Sequence, residues 1–293
     1  MLGVVGLGSM GYGAALTALR KGIDVLGLDT RAEARERFVA EGGRATDSLA
    51  ELGARCDAVL LLVVNAAQTE QVLFDAGGLA STLKPGAVVI ASATVDPTLP
   101  PLWEARLAER GLWLVDAPVS GGAAKAAAGQ MTVMASGRPE AFDAAGGVLD
   151  ALAGKVYRLG DRAGIGSTVK MVNQHLAGVH IAAACEAMAL GMRAGADPRA
   201  LYEVICNSAG SSWMFQNRVP HILANDYRPL SAVNIFVKDL GIVLDQARAL
   251  TFPLPMAAAA HQLFLAAAAH GEGAKDDAFV IRVWQALAGI KLP

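Results

Sequence analysis

Gly6, Gly8 and Gly11 carry the spacing G-x-G-x-x-G and follow directly on the apolar run Leu2–Gly6. That pattern suits a dinucleotide. The first glycine makes a tight turn, the second lets the backbone approach a pyrophosphate, and the third lets the next helix pack close to a sheet. A helix beginning near Ser9 would aim unsatisfied N–H groups at the phosphates. Gly6, Leu7, Gly8, Ser9, Met10 and Gly11 are therefore candidate cofactor residues. Asp29 ends the second apolar run, eighteen residues past Gly11. A carboxylate there accepts both adenosine ribose hydroxyls and repels a 2′-phosphate, which favours NAD over NADP. Arg31, two residues on, could instead hold such a phosphate. Val64, Asn65 and Thr94 follow the third and fourth runs, where parallel sheets bind ligands. The competing reading is ordinary loop capping by Asn and Thr.

Oxidation of an alcohol needs a proton acceptor beside the reacting carbon. The five histidines lie in helical patterns with no obvious partner. Lys170 is more suggestive, early in a long apolar helical stretch that begins near Ile165. A desolvated lysine can exchange protons near neutral pH. Gln174 lies four residues on and so on the same helix face. The alternative is a lysine snorkelling at the edge of a core helix. The loop Asp116-Ala-Pro-Val-Ser120-Gly121-Gly122 follows another apolar run. Its small residues expose backbone N–H groups and Ser120 adds a hydroxyl, a combination that suits a carboxylate. A plain glycine turn would have the same composition.

The elements that must position these residues fall into two parts. Leu2–Gly6, Val25–Leu28, Ala58–Val64, Ala87–Ala91 and Leu112–Val115 are apolar runs of strand length. They alternate with helical patterns at Met10–Lys21, Arg31–Glu41, Ser48–Ala54, Gln68–Leu83 and Leu99–Arg110. Strands apolar on both faces, separated by helices, predict a doubly wound parallel sheet. Met131–Ala135 and Val156–Leu159 flank a helical segment, Glu140–Leu152, and are expected to extend the same sheet. Past Gly160 strand-like runs stop. Helical patterns follow at Ile165–Ala194, Arg199–Asn207, Val219–Ala224, Val233–Leu250, Met256–Ala269 and Asp277–Leu287. The reading is an α/β Rossmann domain over residues 1–162 and an all-α helical domain over 163–293, joined at Gly160–Gly166.

Bulk properties narrow the function. A 54% apolar content is ample for a large core, and a net charge of -2 without charge blocks argues against nucleic acid or an anionic membrane as partner. Three widely spaced cysteines fit free thiols in a reducing cytoplasm and offer no metal site. Leu176–Met192 is apolar enough to raise a membrane question, but it contains His180 and Glu186 and reads as a buried helix.

On four stretches, in order and over nearly the full length, the chain resembles the β-hydroxyacid dehydrogenase family, which includes 3-hydroxyisobutyrate, 6-phosphogluconate and tartronate semialdehyde enzymes. Gly6–Gly11 matches the family's cofactor signature and Asp116–Gly122 its substrate loop. Gly164–Lys170 matches its catalytic helix, and Phe236-Val-Lys238-Asp239-Leu240 its C-terminal signature. The resemblance implies that Lys170 is the acid/base and that Ser120, Gly121 and Gly122 hold a substrate carboxylate. It implies that Lys238 contacts the cofactor while Asp239 supports the site. One position departs. Four residues beyond the lysine the family usually has a substrate-binding asparagine; this chain has Gln174, with Asn173 beside it. Glutamine reaches further, which argues against the simplest family substrates.

Within the family, Val63–Gln68, Gly129–Gly137 and Ala209–Arg218 resemble a bacterial branch that also carries this glutamine. That branch uses NAD to oxidise the C2 hydroxyl of a four-carbon sugar acid. Ser212 and Trp213, in the polar segment Asn207–Arg218, could meet the distal hydroxyls of such a substrate. The alternative for that segment is a helix–helix connection with normal turn chemistry. A rival activity is NADPH-dependent reduction of a semialdehyde or glyoxylate, or 3-hydroxyisobutyrate oxidation. A rival class is a dinucleotide-binding module without catalysis, disfavoured by an intact Lys170 and Ser120–Gly122. The expected partner is a small hydroxy acid, and the apolar helical part suggests a homodimer or homotetramer.

Overall fold

The computed structural model describes residues 1–293. The chain divides into two compact units, Met1–Lys170 and Met171–Pro293. In the first, six parallel strands stand in the order β3-β2-β1-β4-β5-β6. They are β1 (Leu2–Val5), β2 (Val25–Leu28), β3 (Arg44–Thr46), β4 (Ala58–Leu61), β5 (Val88–Ala91) and β6 (Trp113–Asp116). Alternate residues feed two cores. Leu2, Val4, Leu60, Ile90 and Val115 face one, and Val5, Leu26, Val59, Leu61 and Val89 face the other. Burial on both faces is why these strands read as unbroken apolar runs. The strand order reverses between β1 and β4, and the carboxyl ends there are the expected ligand edge of a doubly wound sheet.

The covering helices are α1 (Ser9–Arg20), α2 (Ala32–Ala40), α3 (Leu49–Arg55), α4 (Ala66–Phe74), α5 (Leu79–Thr82) and α6 (Leu99–Ala108). The predicted segment Gln68–Leu83 is two helices, broken where Gly77 adopts a positive φ of 79°. Strand β3 escapes the periodicity because it is short, at the sheet edge and half exposed.

Met131–Ala135 and the run around Val156 do not extend the large sheet. They form a second sheet, β7-β8-β9, from β7 (Val119–Ser120), β8 (Met131–Ala135) and β9 (Ala153–Arg158). Two residues, Ala117 and Pro118, separate β6 from β7, which runs antiparallel to β8, while β9 runs parallel to β8. The two sheets meet through one isolated antiparallel bridge, Asp116 to Ser136. Helix α7 (Gly122–Ala127) follows β7. The stretch before β9 is again two helices, α8 (Pro139–Ala145) and α9 (Val148–Leu152), separated at Gly146 with φ 52°.

The long helix α10 (Ile165–Arg193) begins in the first unit and continues in the second. The division between units falls eight residues past the sequence boundary at 162, inside this helix. Its first turn is hydrogen-bonded to the ends of β6 and β8 and so belongs with them. α10 is the one helix long and apolar enough to cross a membrane. It places Ile181, Ala182, Ala184, Cys185 and Met188 in the core of the second unit.

That unit adds α11 (Pro198–Cys206), α12 (Trp213–Leu223), α13 (Val233–Ala249), α14 (Pro255–Ala267) and α15 (Ile281–Ala288). A π-helical segment, Ala268–Glu272, and a 3-10 turn, Asp277–Val280, precede α15. α12 starts six residues earlier than its apolar pattern, because Ser212 caps it by accepting the Phe215 N–H at 3.0 Å.

Candidate active site

The glycine loop has the shape that its spacing predicts. Gly6 holds φ +93°, and a Cβ there would stand 2.6 Å from the Leu62 carbonyl oxygen. A Cβ on Gly11 would lie 1.7 Å from the Gly6 carbonyl oxygen, so no side chain fits at the start of α1. A Cβ on Gly8 would meet nothing within 4 Å. Gly8 thus faces open space, room that a pyrophosphate needs. Gly8 is also the N-cap of α1, and no side chain caps that end. The first N–H groups of α1, including those of Ser9 and Met10, lie there for an anion. These features fit a dinucleotide.

Asp29 is buried at the end of β2 and organises this loop. Its Oδ2 accepts the Leu7 N–H at 2.8 Å, and its Oδ1 accepts the Arg31 N–H at 2.9 Å. The Arg31 guanidinium also lies on it, Nε to Oδ1 at 3.0 Å. Burial pushes the Asp29 carboxyl up, but the hydrogen bonds from Arg31 and Leu7 outweigh it and hold the group below the usual carboxylate range. The residue is therefore a charged acceptor at a position suited to a ribose. Arg31, mostly exposed, is engaged with Asp29 and not poised alone.

Asn65 is the N-cap of α4. Its Oδ1 accepts the Gln68 N–H at 2.9 Å, and Gln68 returns an acceptor to the Val64 N–H at 2.8 Å. This reciprocal cap is the turn-chemistry reading of Asn65 made concrete. Val64 is exposed beside it. Thr94 lies just past β5, and Ser92, two residues before it, has a buried hydroxyl with no hydrogen-bond partner. A serine at a strand end has no distinguishing spacing, so the sequence does not single out Ser92.

The loop after β6 ends in two consecutive glycines with positive φ, Gly121 at 130° and Gly122 at 72°. A Cβ on Gly122 would meet nothing, so its backbone faces open space. Ser120 is half-buried on β7. Helix α7, which follows, is fastened to the cofactor helix: the Thr17 hydroxyl donates to the Ala126 carbonyl at 2.9 Å. A Cβ on Gly13 of α1 would stand 2.7 Å from the Ala127 nitrogen. The two loops are thus built on helices in direct contact.

Lys170, 7% exposed, lies in the second turn of α10. The start of that helix needs its glycines. Gly164 has φ +104°, and a Cβ on Gly166 would come within 2.4 Å of the Met134 carbonyl oxygen.

In the second unit, Gln174 and Asp239 are buried and joined, Gln174 Nε2 to Asp239 Oδ2 at 2.5 Å. Asn173 Nδ2 donates to Gln174 Oε1 at 3.0 Å, and Lys238 Nζ meets Asp239 Oδ1 at 2.5 Å. Asp239 therefore orients both Gln174 and Lys238, and its own carboxylate is covered. Several polar side chains of the segment Asn207–Arg218 bond to neighbouring groups of the chain, and of them only Arg218 is buried. Ser208 bonds the Val204 carbonyl, Ser212 caps α12, and Arg218 is buried on Asp277. Turn chemistry and internal pairing account for these side chains. Trp213 is half exposed and is the segment's large side chain open to a ligand.

Residues 1–160 match the family described as the NAD binding domain of 6-phosphogluconate dehydrogenase. Residues 164–284 match that described as the NAD-binding domain of NADP-dependent 3-hydroxyisobutyrate dehydrogenase. The chain belongs to the 3-hydroxyisobutyrate dehydrogenase-like β-hydroxyacid dehydrogenases. It is 60% identical to the L-threonate dehydrogenase of Cupriavidus necator, over 100% of this chain and 97% of that protein. It is 33% identical to the 2-(hydroxymethyl)glutarate dehydrogenase of Eubacterium barkeri, over 99% of this chain and 97% of that one. A crystal structure described as 3-hydroxyisobutyrate dehydrogenase from Salmonella typhimurium superposes with TM-score 0.92 at 51% identity, covering 96% of this chain and 99% of that one. The protein is thus a hydroxy-acid dehydrogenase that uses a nicotinamide dinucleotide.

Proposed function

We propose that the chain oxidises the C2 hydroxyl of L-threonate to the 2-oxo acid, with NAD as oxidant and Lys170 as acid/base. The observation that carries this reading is the placement of Lys170: a buried amine, which accepts a proton in its neutral form, on the second turn of α10 and in the same compact unit as the Ser120–Gly122 loop. When bound, nicotinamide dinucleotide supplies the acceptor for the hydride that leaves C2. Ser120 and the Gly121 and Gly122 amides hold the substrate carboxylate. Lys170 takes the C2 hydroxyl proton as the carbonyl forms, and returns it in the reverse direction. Asp239 steadies Gln174, whose long amide suits a polyol better than the smallest hydroxy acids. The four-carbon substrate is favoured by the relatives named L-threonate dehydrogenase. A screen of L-threonate, D-glycerate, 3-hydroxyisobutyrate and glyoxylate against both cofactors tests it. The expected result is NAD reduction with L-threonate well above the rest; no oxidation of any sugar acid overturns the substrate assignment.

Asp29 supports NAD over NADP. Asp29→Asn keeps an acceptor for the Leu7 N–H but removes the charge that repels a 2′-phosphate. The ratio of kcat/KM for NAD to that for NADP is expected to fall by about 10-fold or more, the worth of a charged hydrogen bond. An unchanged ratio would show that Asp29 does not read the ribose.

The assembly is read as a homodimer or homotetramer. Ile165, Val169, Val172, Leu176 and Leu190 are exposed along α10, and Leu190 is 70% exposed. Their spacing forms an apolar stripe that a second copy would cover. Sedimentation should show a dimer or larger species at micromolar concentration; a stable monomer there refutes it.

A further inference from the structure

The Asp116 carboxylate is 1% exposed at the end of β6, and the start of α10 and the residue that follows β8 converge on it. Its Oδ2 accepts the Gly164 N–H at 2.9 Å, the Ser167 N–H at 2.8 Å and the Ser136 hydroxyl at 3.3 Å. Its Oδ1 accepts the Ser167 hydroxyl at 2.6 Å. Ser136 in turn accepts the Gly166 N–H at 2.9 Å. The backbone of Asp116 is paired with Ser136 in both directions, at 2.9 and 2.8 Å. Three N–H groups at the start of α10 are thus satisfied by side chains from β6 and from the end of β8. This is an N-cap supplied from a distant strand, where a local residue would usually serve.

The position of this cap has a consequence for chemistry. Lys170 is three residues past Ser167, on the next turn of α10, and Ser120 is four residues past Asp116. One carboxylate therefore fixes the start of the helix that bears the lysine and stands at the root of the loop that would hold the substrate. Gly166 packs so tightly here that a Cβ would stand 2.7 Å from the Asp116 carbonyl oxygen. The helix cannot slide closer. The hydrogen bonds stop it from rotating or withdrawing.

We propose that Asp116 is a positioning residue that sets Lys170 in register with the Ser120–Gly122 loop, through hydrogen-bond geometry and not through its charge. The inference rests on the reading of Lys170 as the acid/base. The carboxylate's bonding pattern makes the distinction testable. Oδ1 meets only a hydroxyl among these donors, and a hydroxyl can reverse to accept. Asp116→Asn can therefore donate its amide N–H to Ser167 Oγ while its oxygen keeps both backbone N–H groups. Asp116→Ala strands those backbone groups in a buried site. A displacement of about 1 Å at the reacting groups costs about 100-fold in rate.

The test compares wild type, Asp116→Ala, Asp116→Asn, Ser167→Ala and Lys170→Ala. Steady-state kinetics with L-threonate and NAD, NADH binding by fluorescence, and the pH profile of kcat/KM are measured on each. Asp116→Ala is expected to lose about 100-fold in kcat with NADH affinity nearly unchanged. Asp116→Asn is expected to recover to within about tenfold of wild type and to keep the wild-type pH profile, since geometry and not charge is preserved. Ser167→Ala keeps the backbone bonds and falls between the two. If Asp116→Ala does not fold, Ser167→Ala decides: reduced kcat at unchanged NADH affinity supports the inference, and wild-type kcat overturns it. Asp116→Asn as impaired as Asp116→Ala, or with a shifted profile, overturns the geometric role. Lys170→Ala inactive beside normal Asp116→Ala and Ser167→Ala defeats this inference alone. Full turnover in Lys170→Ala defeats the lysine reading and this inference with it.

Discussion

Lys170→Ala is expected to lower kcat for hydroxy-acid oxidation by about 100- to 10,000-fold, the usual worth of a positioned general acid/base. Cofactor affinity should change little, because the glycine loop joins β1 to α1 and Asp29 follows β2, whereas Lys170 lies on α10. The loss should appear in kcat and kcat/KM together, the mark of an interaction made in the transition state. Two further variants separate proton transfer from charge. Lys170→Met keeps the apolar stem and removes the amine. Lys170→Arg keeps a positive charge but cannot release its proton near neutral pH. If Lys170 moves a proton, both are as poor as alanine; if it only stabilises charge, arginine retains substantial turnover. Steady-state and single-turnover rates with NADH titration check this. Turnover within about tenfold of wild type in the alanine variant would remove Lys170 from the mechanism.

Arg218→Ala is expected to destabilise the second unit by about 3–5 kcal/mol, the cost of leaving a buried carboxylate without its counter-charge. That is a large part of the net stability of an ordinary domain. Arg218 reaches Asp277 through Nη2 at 3.1 Å and through Nε, and Asp277 is fully buried. The pair joins α12 to the 3-10 turn before α15. Beside it, Asp276 accepts the Ala278 N–H at 3.1 Å and lies 2.9 Å from the His221 ring.

The pH dependence of this loss has a definite sign. Burial raises Asp277 from 3.8 to about 6, against the pull of Arg218. A carboxyl raised on folding contributes stability that is fully present below its unfolded value and is lost as pH rises through the folded one. Without Arg218 the folded value climbs further, so the deficit against wild type should be larger at pH 8 than at pH 5. Thermal unfolding at both pH values measures it. A deficit equal at both would show that lost packing dominates. Joint replacement, Arg218→Met with Asp277→Leu, should recover much of the stability, because no charge is then left buried.

Much of this protein is legible one segment at a time. Leu2–Gly6, Val25–Leu28, Ala58–Val64 and Ala87–Ala91 read as strands buried on both faces, because each is a short run without a polar interruption, and each contains an observed strand. The roles of Gly6, Gly8 and Gly11 follow from spacing, since each is dictated by backbone within a few residues. Lys170 and the Ser120–Gly122 loop could be singled out by type and place. Their chemistry needed the likeness to known dehydrogenases, because a lysine on an apolar helix is more often structural.

Other features were decided only by the tertiary structure. An apolar run states that a strand is buried but not which strand it joins; Met131–Ala135 could lie in either sheet, and it pairs with β7 and β9 in the smaller one. Ser212 looks alike in sequence as a ligand or as a helix cap, and the 3.0 Å bond from the Phe215 N–H shows that it caps α12. Arg218 ends a polar segment in sequence and is buried on Asp277, 59 residues away. Asp116 shows most clearly where local pattern ends. Its partners Gly164 and Ser167 lie 48 and 51 residues on. By itself the sequence determined which segments bury their faces, where the backbone must lack a side chain, and which residues are candidates for chemistry. The tertiary structure decided which distant donors meet each buried acceptor, because that depends on how elements pack and not on the residues that flank them.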